Sequence, residues 1–231
     1  MDTNSYKDKS VIYIILFVIF SLFIMEEYIG GSNNIIALLK MGANNKILVL
    51  QHHEFYRLFT SIYLHSGLMH LFFNSYVLFS FGSFFKDILG TKNFLLLFFT
   101  SGLCGSIASI YLGKAGVSVG ASGAIWGFLG ATLALSIFPS IYVAPYARSI
   151  LLKTAAINIV LNLAISLLPM IDIWAHLGGG ICGFLITGII ITNFKNILLQ
   201  NIKTFLLSFV LIIFIILNLL SIFYVLFINF F

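Results

Sequence analysis

Seven stretches of this chain are almost continuously apolar, at about 11–28, 68–85, 94–112, 121–138, 150–168, 174–191 and 205–228. Each approaches the ~20 residues that a helix needs to cross a bilayer core of ~30 Å. A helix also satisfies its own backbone groups where no water is present. The pattern therefore predicts seven spanning helices. Polar or turn-forming breaks separate the later ones, at 86–92, 114–120, 139–148, 169–172 and 193–203. Between the first two spans lies a longer mixture, 31–67, too broken to cross. Within it, 35–41 reads as a short interfacial helix, and Glu54-Phe55-Tyr56-Arg57 sets charge beside aromatics as suits the headgroup level.

Composition agrees. Of 231 residues, 61% are hydrophobic and 8% charged, against roughly 25% charged in soluble domains. That describes an integral membrane protein with little left for a soluble domain. The expected division is a polar tail at 1–10, a six-span core at 11–192, and a linker with a seventh span at 193–231. Met25-Glu26-Glu27-Tyr28 lacks the small residues of a signal cleavage site, so the first span is expected to be retained. Cys104 and Cys182 fall inside spans and read as small core residues rather than a disulfide or metal ligands.

The net charge of +5 comes from scattered basic residues, not a polybasic block, and does not point to nucleic acid. It bears instead on orientation. With the N-terminus cytoplasmic, the inner side receives Lys7, Lys9, Lys86, Lys92, Arg148, Lys153, Lys195 and Lys203, and the outer side Lys40, Lys46, Arg57 and Lys114. Eight against four favours that orientation. Phe231 is then outside, and spans two, four and six all enter from the outer face. His70 and Asn74 open span two, Ser122 opens span four and His176 opens span six, so these four polar residues share one depth.

Ser122 stands between glycines at the head of an apolar helix, where it reads either as a helix cap or packing residue or as a nucleophile. Gly123 with Gly127, and Gly179 with Gly183, form two GxxxG pairs that let spans four and six approach closely. His176, one turn before Gly179, is then expected within hydrogen-bonding range of Ser122, where a neutral imidazole activates an alcohol. A buried structural histidine is the alternative, but ionisable groups inside spans are costly and mostly functional. Asp172 reads as the cap of span six rather than as a third catalytic member, which leaves a dyad. Trp126, one turn below Ser122, offers a plate for the imidazole.

His70 and Asn74, four apart, share a helix face and can donate to an oxyanion, where one well-placed donor is worth about 3 kcal/mol. As interhelical polar glue they would contribute about 0.6 kcal/mol. His52, His53 and His65 match no zinc spacing. Neither a metal nor an organic cofactor is implied.

Gly120-Ala121-Ser122-Gly123, His65-x4-His70-x3-Asn74 and Ala175-His176-x2-Gly179-x3-Gly183, on alternate spans and in this order, closely resemble the motifs of the rhomboid intramembrane serine proteases. The resemblance covers roughly 42–184. It implies an all-α polytopic fold, a rhomboid-like six-helix core plus one extra C-terminal helix. It also implies that Ser122 is the nucleophile, His176 the general base and acid, and His70 and Asn74 the oxyanion donors. The segment 54–60, with Arg57, would belong to the family's membrane-embedded first loop. This chain has Tyr56-Arg57 where the family usually has Trp-Arg, and Trp126 where it often has Tyr or Phe.

The expected function is endoproteolysis of other proteins' transmembrane segments near their outer ends, through an acyl-enzyme. The resemblance implies small residues at the cut and helix-weakening residues beyond it. The partners are then transmembrane protein substrates and the lipid bilayer, with a plasma membrane as the default; nothing in the sequence speaks to oligomeric state. Two rivals are an inactive rhomboid-like scaffold, which typically lacks the serine or the histidine, and a small-solute transporter. The latter would need a polar path across the bilayer, and here the polar residues gather near one face.

Overall fold

A computed structural model describes residues 8–114, 116–168, 171–193 and 195–230. Lys7 with most of the expected tail, and Pro169 in the expected break before span six, lie outside the described residues.

Seven apolar helices dominate the chain: α1 (Ser10–Ile29), α5 (Leu68–Leu89), α6 (Thr91–Leu112), α7 (Ser122–Ile137), α8 (Pro145–Ser166), α9 (Ile173–Ile191) and α10 (Ile197–Phe230). All but α7 are long and apolar enough to cross a membrane, and the chain is an integral membrane protein. α7 has 16 residues, about 24 Å at ~1.5 Å per residue.

Three short helices, α2 (Ile35–Lys40), α3 (Lys46–Leu50) and α4 (Arg57–Thr60), lie in the first loop. The Asn34 side chain accepts from Ile36 N to start α2, and the Asn45 side chain accepts from Ile47 N and Leu48 N to start α3. The interfacial helix expected at 35–41 is α2; the two others were not expected.

α7 is the centre of the bundle, packed against α5, α6, α8 and α9. Its small residues Gly123, Gly127, Gly130, Ala131 and Ala134 are buried, which lets its neighbours close in. α1 buries one stripe, Ile12, Ile15, Ile19, Leu22 and Glu26, against α5 and α2. Tyr13, Ile14, Phe17 and Ile24 on its other side are exposed, as lipid-facing residues should be. α8 is the least buried span: among the described residues Ala155 and Ser166 are its buried ones. Cys104 on α6 and Cys182 on α9 are free thiols.

Two boundaries differ from the sequence pattern. The break expected over 193–203 is helical from Ile197, because the Asn196 side chain accepts from Leu198 N and Leu199 N and caps a helix of 34 residues. Helix α8 begins at Pro145 inside the expected break, with proline at its first turn, where the missing N–H costs nothing.

The first loop is braced from within and then clamped to the last helix. Arg57 donates to Leu39 O at 2.7 Å and Ala43 O at 3.1 Å and pairs with Glu54 at 2.5 Å. Thr60 Oγ1 donates to Gly42 O at 2.6 Å. The last helix adds a clamp: Tyr63 Oη donates to Asn218 Oδ1 at 2.9 Å, and the Tyr56 and Tyr224 rings lie 4.8 Å apart.

Strands β1 (Asn44–Asn45) and β2 (Val117–Ser118) pair antiparallel, Asn44 with Ser118 and Asn45 with Val117. The periodicity gave no sign of this short ladder. It ties the first loop to the residues that lead into α7.

Candidate functional site

Ser122 is the first residue of α7, and the turn before it is fixed from two sides. The β1–β2 ladder holds Val117 and Ser118, and Gly120 N donates to Ser61 O at 2.9 Å. Gly120 has φ +122°, a conformation that side-chain-bearing residues rarely adopt. A Cβ there would lie 2.7 Å from both Cε1 and Nε2 of His70 and 3.3 Å from Nδ2 of Asn74. The α5 pair is thus pressed against the backbone just before Ser122.

Each member of that pair has an uncommitted nitrogen. His70 Nδ1 is engaged by Ser66 Oγ at 3.2 Å, which leaves Nε2 toward Gly120. Asn74 is 7% exposed, and its Nδ2 is buried with no hydrogen-bond partner among the described residues. An unpaired buried donor costs about 1–3 kcal/mol, so its presence beside the turn into α7 calls for an explanation. The His65 ring packs edge-on to His70 at 5.0 Å. His65 Nδ1 donates to Tyr63 O at 3.1 Å, and its backbone N–H donates to Glu26 Oε1 at 3.1 Å. Burial, with His70 nearby, pushes the His65 imidazole down to about 3, so it stays neutral at physiological pH.

Helices α7 and α9 touch through backbone. A Cβ on Gly179 would lie 2.0 Å from Gly123 O, and one on Gly183 would lie 2.2 Å from Gly127 O. The sequence expectation that the two GxxxG pairs face each other describes this packing. A third close approach, unforeseen, places a Cβ on Gly130 2.0 Å from Gly180 O. Glycine on α6 completes the arrangement, since a Cβ on Gly105 would be 2.7 Å from Ala175 O and 3.3 Å from Gly123 Cα.

This packing brings His176 to the head of α7. Its ring stacks on Trp126 with centroids 5.2 Å apart and planes 18° apart. Its Nδ1 is 2.6 Å from Ser166 Oγ at the end of α8. The direct Ser122–His176 hydrogen bond expected from the sequence is not formed: Ser122 Oγ has no hydrogen bond among the described residues. The ring is held instead by the Trp126 stack and by Ser166 at Nδ1, and Nε2 forms no hydrogen bond among the described residues. Such contacts often tighten only when substrate is bound.

Asp172 caps α9: its Oδ1 accepts from Trp174 N and Ala175 N at 3.1 Å each, and its Oδ2 accepts from Ser109 Oγ. The carboxylate is thus spent on the helix end, not on the imidazole. Arg57 lies in the first loop, where its guanidinium is engaged by Glu54, Leu39 O and Ala43 O. His52 and His53 are exposed in that loop, and no described group of three His, Cys, Asp or Glu is placed to hold a metal.

The sequence did not single out Ser166, Ser61 or Ser66, which hold His176, Gly120 and His70, nor Ser109 and Glu26, which hold Asp172 and His65. Only Ser166 carried a readable hint, a hydroxyl at the end of an apolar span ten residues before His176.

The chain was compared with known proteins. The sequence profile described as Rhomboid domain matches residues 52–193. RHOMBOID-like protein 1 of Arabidopsis thaliana is 42% identical over 148 residues, covering 64% of this chain and 37% of that protein. Rhomboid protease GluP of Bacillus subtilis (strain 168) is 39% identical over 168 residues, 71% of this chain and 31% of it. RHOMBOID-like protein 6, mitochondrial, of Arabidopsis thaliana is 36% identical over 160 residues, 69% of this chain and 50% of it. The chain therefore spans between about a third and a half of the length of these relatives.

Proposed function

The chain belongs to the rhomboid family, and from that premise we propose that it is an intramembrane serine endopeptidase acting on transmembrane segments. One observation carries the proposal: the turn entering Ser122 faces an unpartnered buried amide, Asn74 Nδ2, and a ring nitrogen of His70 on one side. On the other, α9 sets His176 flat on Trp126. A lone packing serine would need none of these.

Ser122 Oγ adds to the scissile carbonyl carbon as its proton passes to His176 Nε2. The carbonyl oxygen becomes an oxyanion facing Asn74 Nδ2, the His70 ring and the Ser122 backbone N–H, one of the free amides at the start of α7. Collapse breaks the C–N bond, and the leaving amine takes the proton from His176. Water, activated by the same imidazole, then hydrolyses the acyl-enzyme. In this reading 11–192 is the proteolytic core and 193–231 an added linker and span. The N-terminus is cytoplasmic, and Ser122 lies below the outer face. The short α7 supports that depth, since its ~24 Å falls short of the ~30 Å hydrocarbon core.

The test is co-expression with a panel of tagged single-span proteins, together with fluorophosphonate labelling of the purified protein. Ser122-dependent labelling and outer-end cleavage are expected. Absence of both in bilayer preparations would leave a membrane-protein-binding scaffold. A second measurement separates oxyanion donor from polar glue at Asn74. Asn74→Ala is expected to lower kcat by about 10²-fold with KM little changed. A variant with wild-type kcat would return Asn74 to a packing role.

A further inference from the structure

Helix α8 reaches His176 through Ser166. Ser166 is 2% exposed, and Ala155 is the other buried residue among those described on this helix. Ser166 Oγ lies 2.7 Å from the Asn162 carbonyl oxygen and 2.6 Å from His176 Nδ1. A serine hydroxyl has one proton to give and lone pairs to accept with. The Asn162 carbonyl can only accept, so the proton goes there. Ser166 Oγ must then accept from His176, which places the imidazole proton on Nδ1 and the lone pair on Nε2.

We infer that Ser166 is a positioning residue for His176, fixing the Nδ1–H tautomer and, with the Trp126 ring, the direction in which Nε2 points. This rests on the reading of His176 as the base that activates Ser122. In three-membered serine hydrolase sites a buried carboxylate holds that place behind the imidazole. Here the available carboxylate, Asp172, caps α9 and is held by Ser109. The other titratable group facing the ring across the bundle is His70 on α5. A neutral hydroxyl selects the tautomer as a carboxylate does but brings no charge to the imidazolium that forms. The productive tautomer is thereby linked to the seating of the least buried span, because Ser166 leaves His176 whenever the end of α8 moves away.

The experiment pairs nitrogen NMR of 15N-histidine-labelled full-length protein in bicelles with steady-state cleavage. The His176 signals are assigned by their loss in His176→Gln. In the wild type His176 is expected as the Nδ1–H tautomer. Ser166→Ala is expected to mix or invert the tautomers and to lower kcat by about 10- to 100-fold at nearly constant KM, by analogy with the loss of the outer partner of a metal-bound histidine. Ser166→Thr, which keeps the hydroxyl, is expected to restore both. A wild-type spectrum with the proton on Nε2 overturns the inference without any variant having to fold. So does a Ser166→Ala protein with unchanged tautomer and kcat. An intact Nδ1–H signature in a protein that neither cleaves nor labels at Ser122 overturns the protease reading, while the tautomer assignment stands.

Discussion

Proteolysis is expected to fall by about 10³-fold or more in Ser122→Ala and equally in His176→Ala, with no further loss in the double variant. The two groups perform one step. Without the imidazole the alcohol keeps its proton and is a poor nucleophile; without the alcohol the imidazole has nothing to deprotonate. The remaining activity belongs to whatever the Asn74 and His70 donors do for water attack, and it is the same in all three variants. Stability separates the two changes. Ser122 Oγ has no hydrogen bond among the described residues, so its loss should alter unfolding by no more than about 0.5 kcal/mol. Loss of His176 forfeits the stack on Trp126, worth roughly 0.5–1.5 kcal/mol. The measurement is cleavage of a fluorogenic transmembrane substrate by the four proteins of the cycle in detergent. Losses that multiply in the double variant would mean that the residues act independently, and the dyad would have to be abandoned.

What the sequence disclosed and what it hid follow from the physics of each contact. Spans were legible because lipid demands a continuous apolar run, and six of the seven helices that resulted meet the length for crossing. The face-to-face glycines were legible because close helix approach leaves a four-residue signature on each partner. The β1–β2 ladder was not, since two-residue pairing leaves no period to read. The start of α10 was hidden because Gln200, Asn201 and Lys203 interrupt the apolar run, although the Asn196 cap and good helix formers such as Leu198, Leu199 and Gln200 carry the helix through them. Ser166 was hidden for a different reason. Its role depends on where α8 ends relative to α9, and no local pattern encodes the distance between two neighbouring spans. At Asp172 the local signal was the right guide, as the carboxylate does cap α9.

The α7–α9 seam sets up the second large effect, which is on folding. Gly179→Ala would put a methyl group 2.0 Å from Gly123 O and 2.7 Å from its carbonyl carbon; Gly183→Ala would put one 2.2 Å from Gly127 O and 2.5 Å from its Cα. The obstacles are backbone on the central helix, so no rotamer change relieves them, and the helices must separate. Overpacking that side chains absorb costs about 1–3 kcal/mol. Here each substitution is expected to exceed about 3 kcal/mol, because separation also opens the contact of Gly130 with Gly180 O along the same seam. Two neighbours on α9 serve as controls. At Gly180 the nearest atom to a new methyl is Trp126 Cε3 at 3.4 Å, and at Gly188 it is Phe138 Cε2 at 3.6 Å, both ordinary contact. Alanine there should change stability by about 0.5 kcal/mol or less. Unfolding in mixed micelles, followed by a mild denaturing detergent titration, should therefore divide consecutive glycines, with Gly179 intolerant and Gly180 tolerant. Activity should follow the same division, since parting the seam carries His176 away from the head of α7. Equal midpoints for the Gly179 and Gly180 variants would show that the two helices do not meet backbone to backbone, and the juxtaposition of Ser122 with His176 would lose its support.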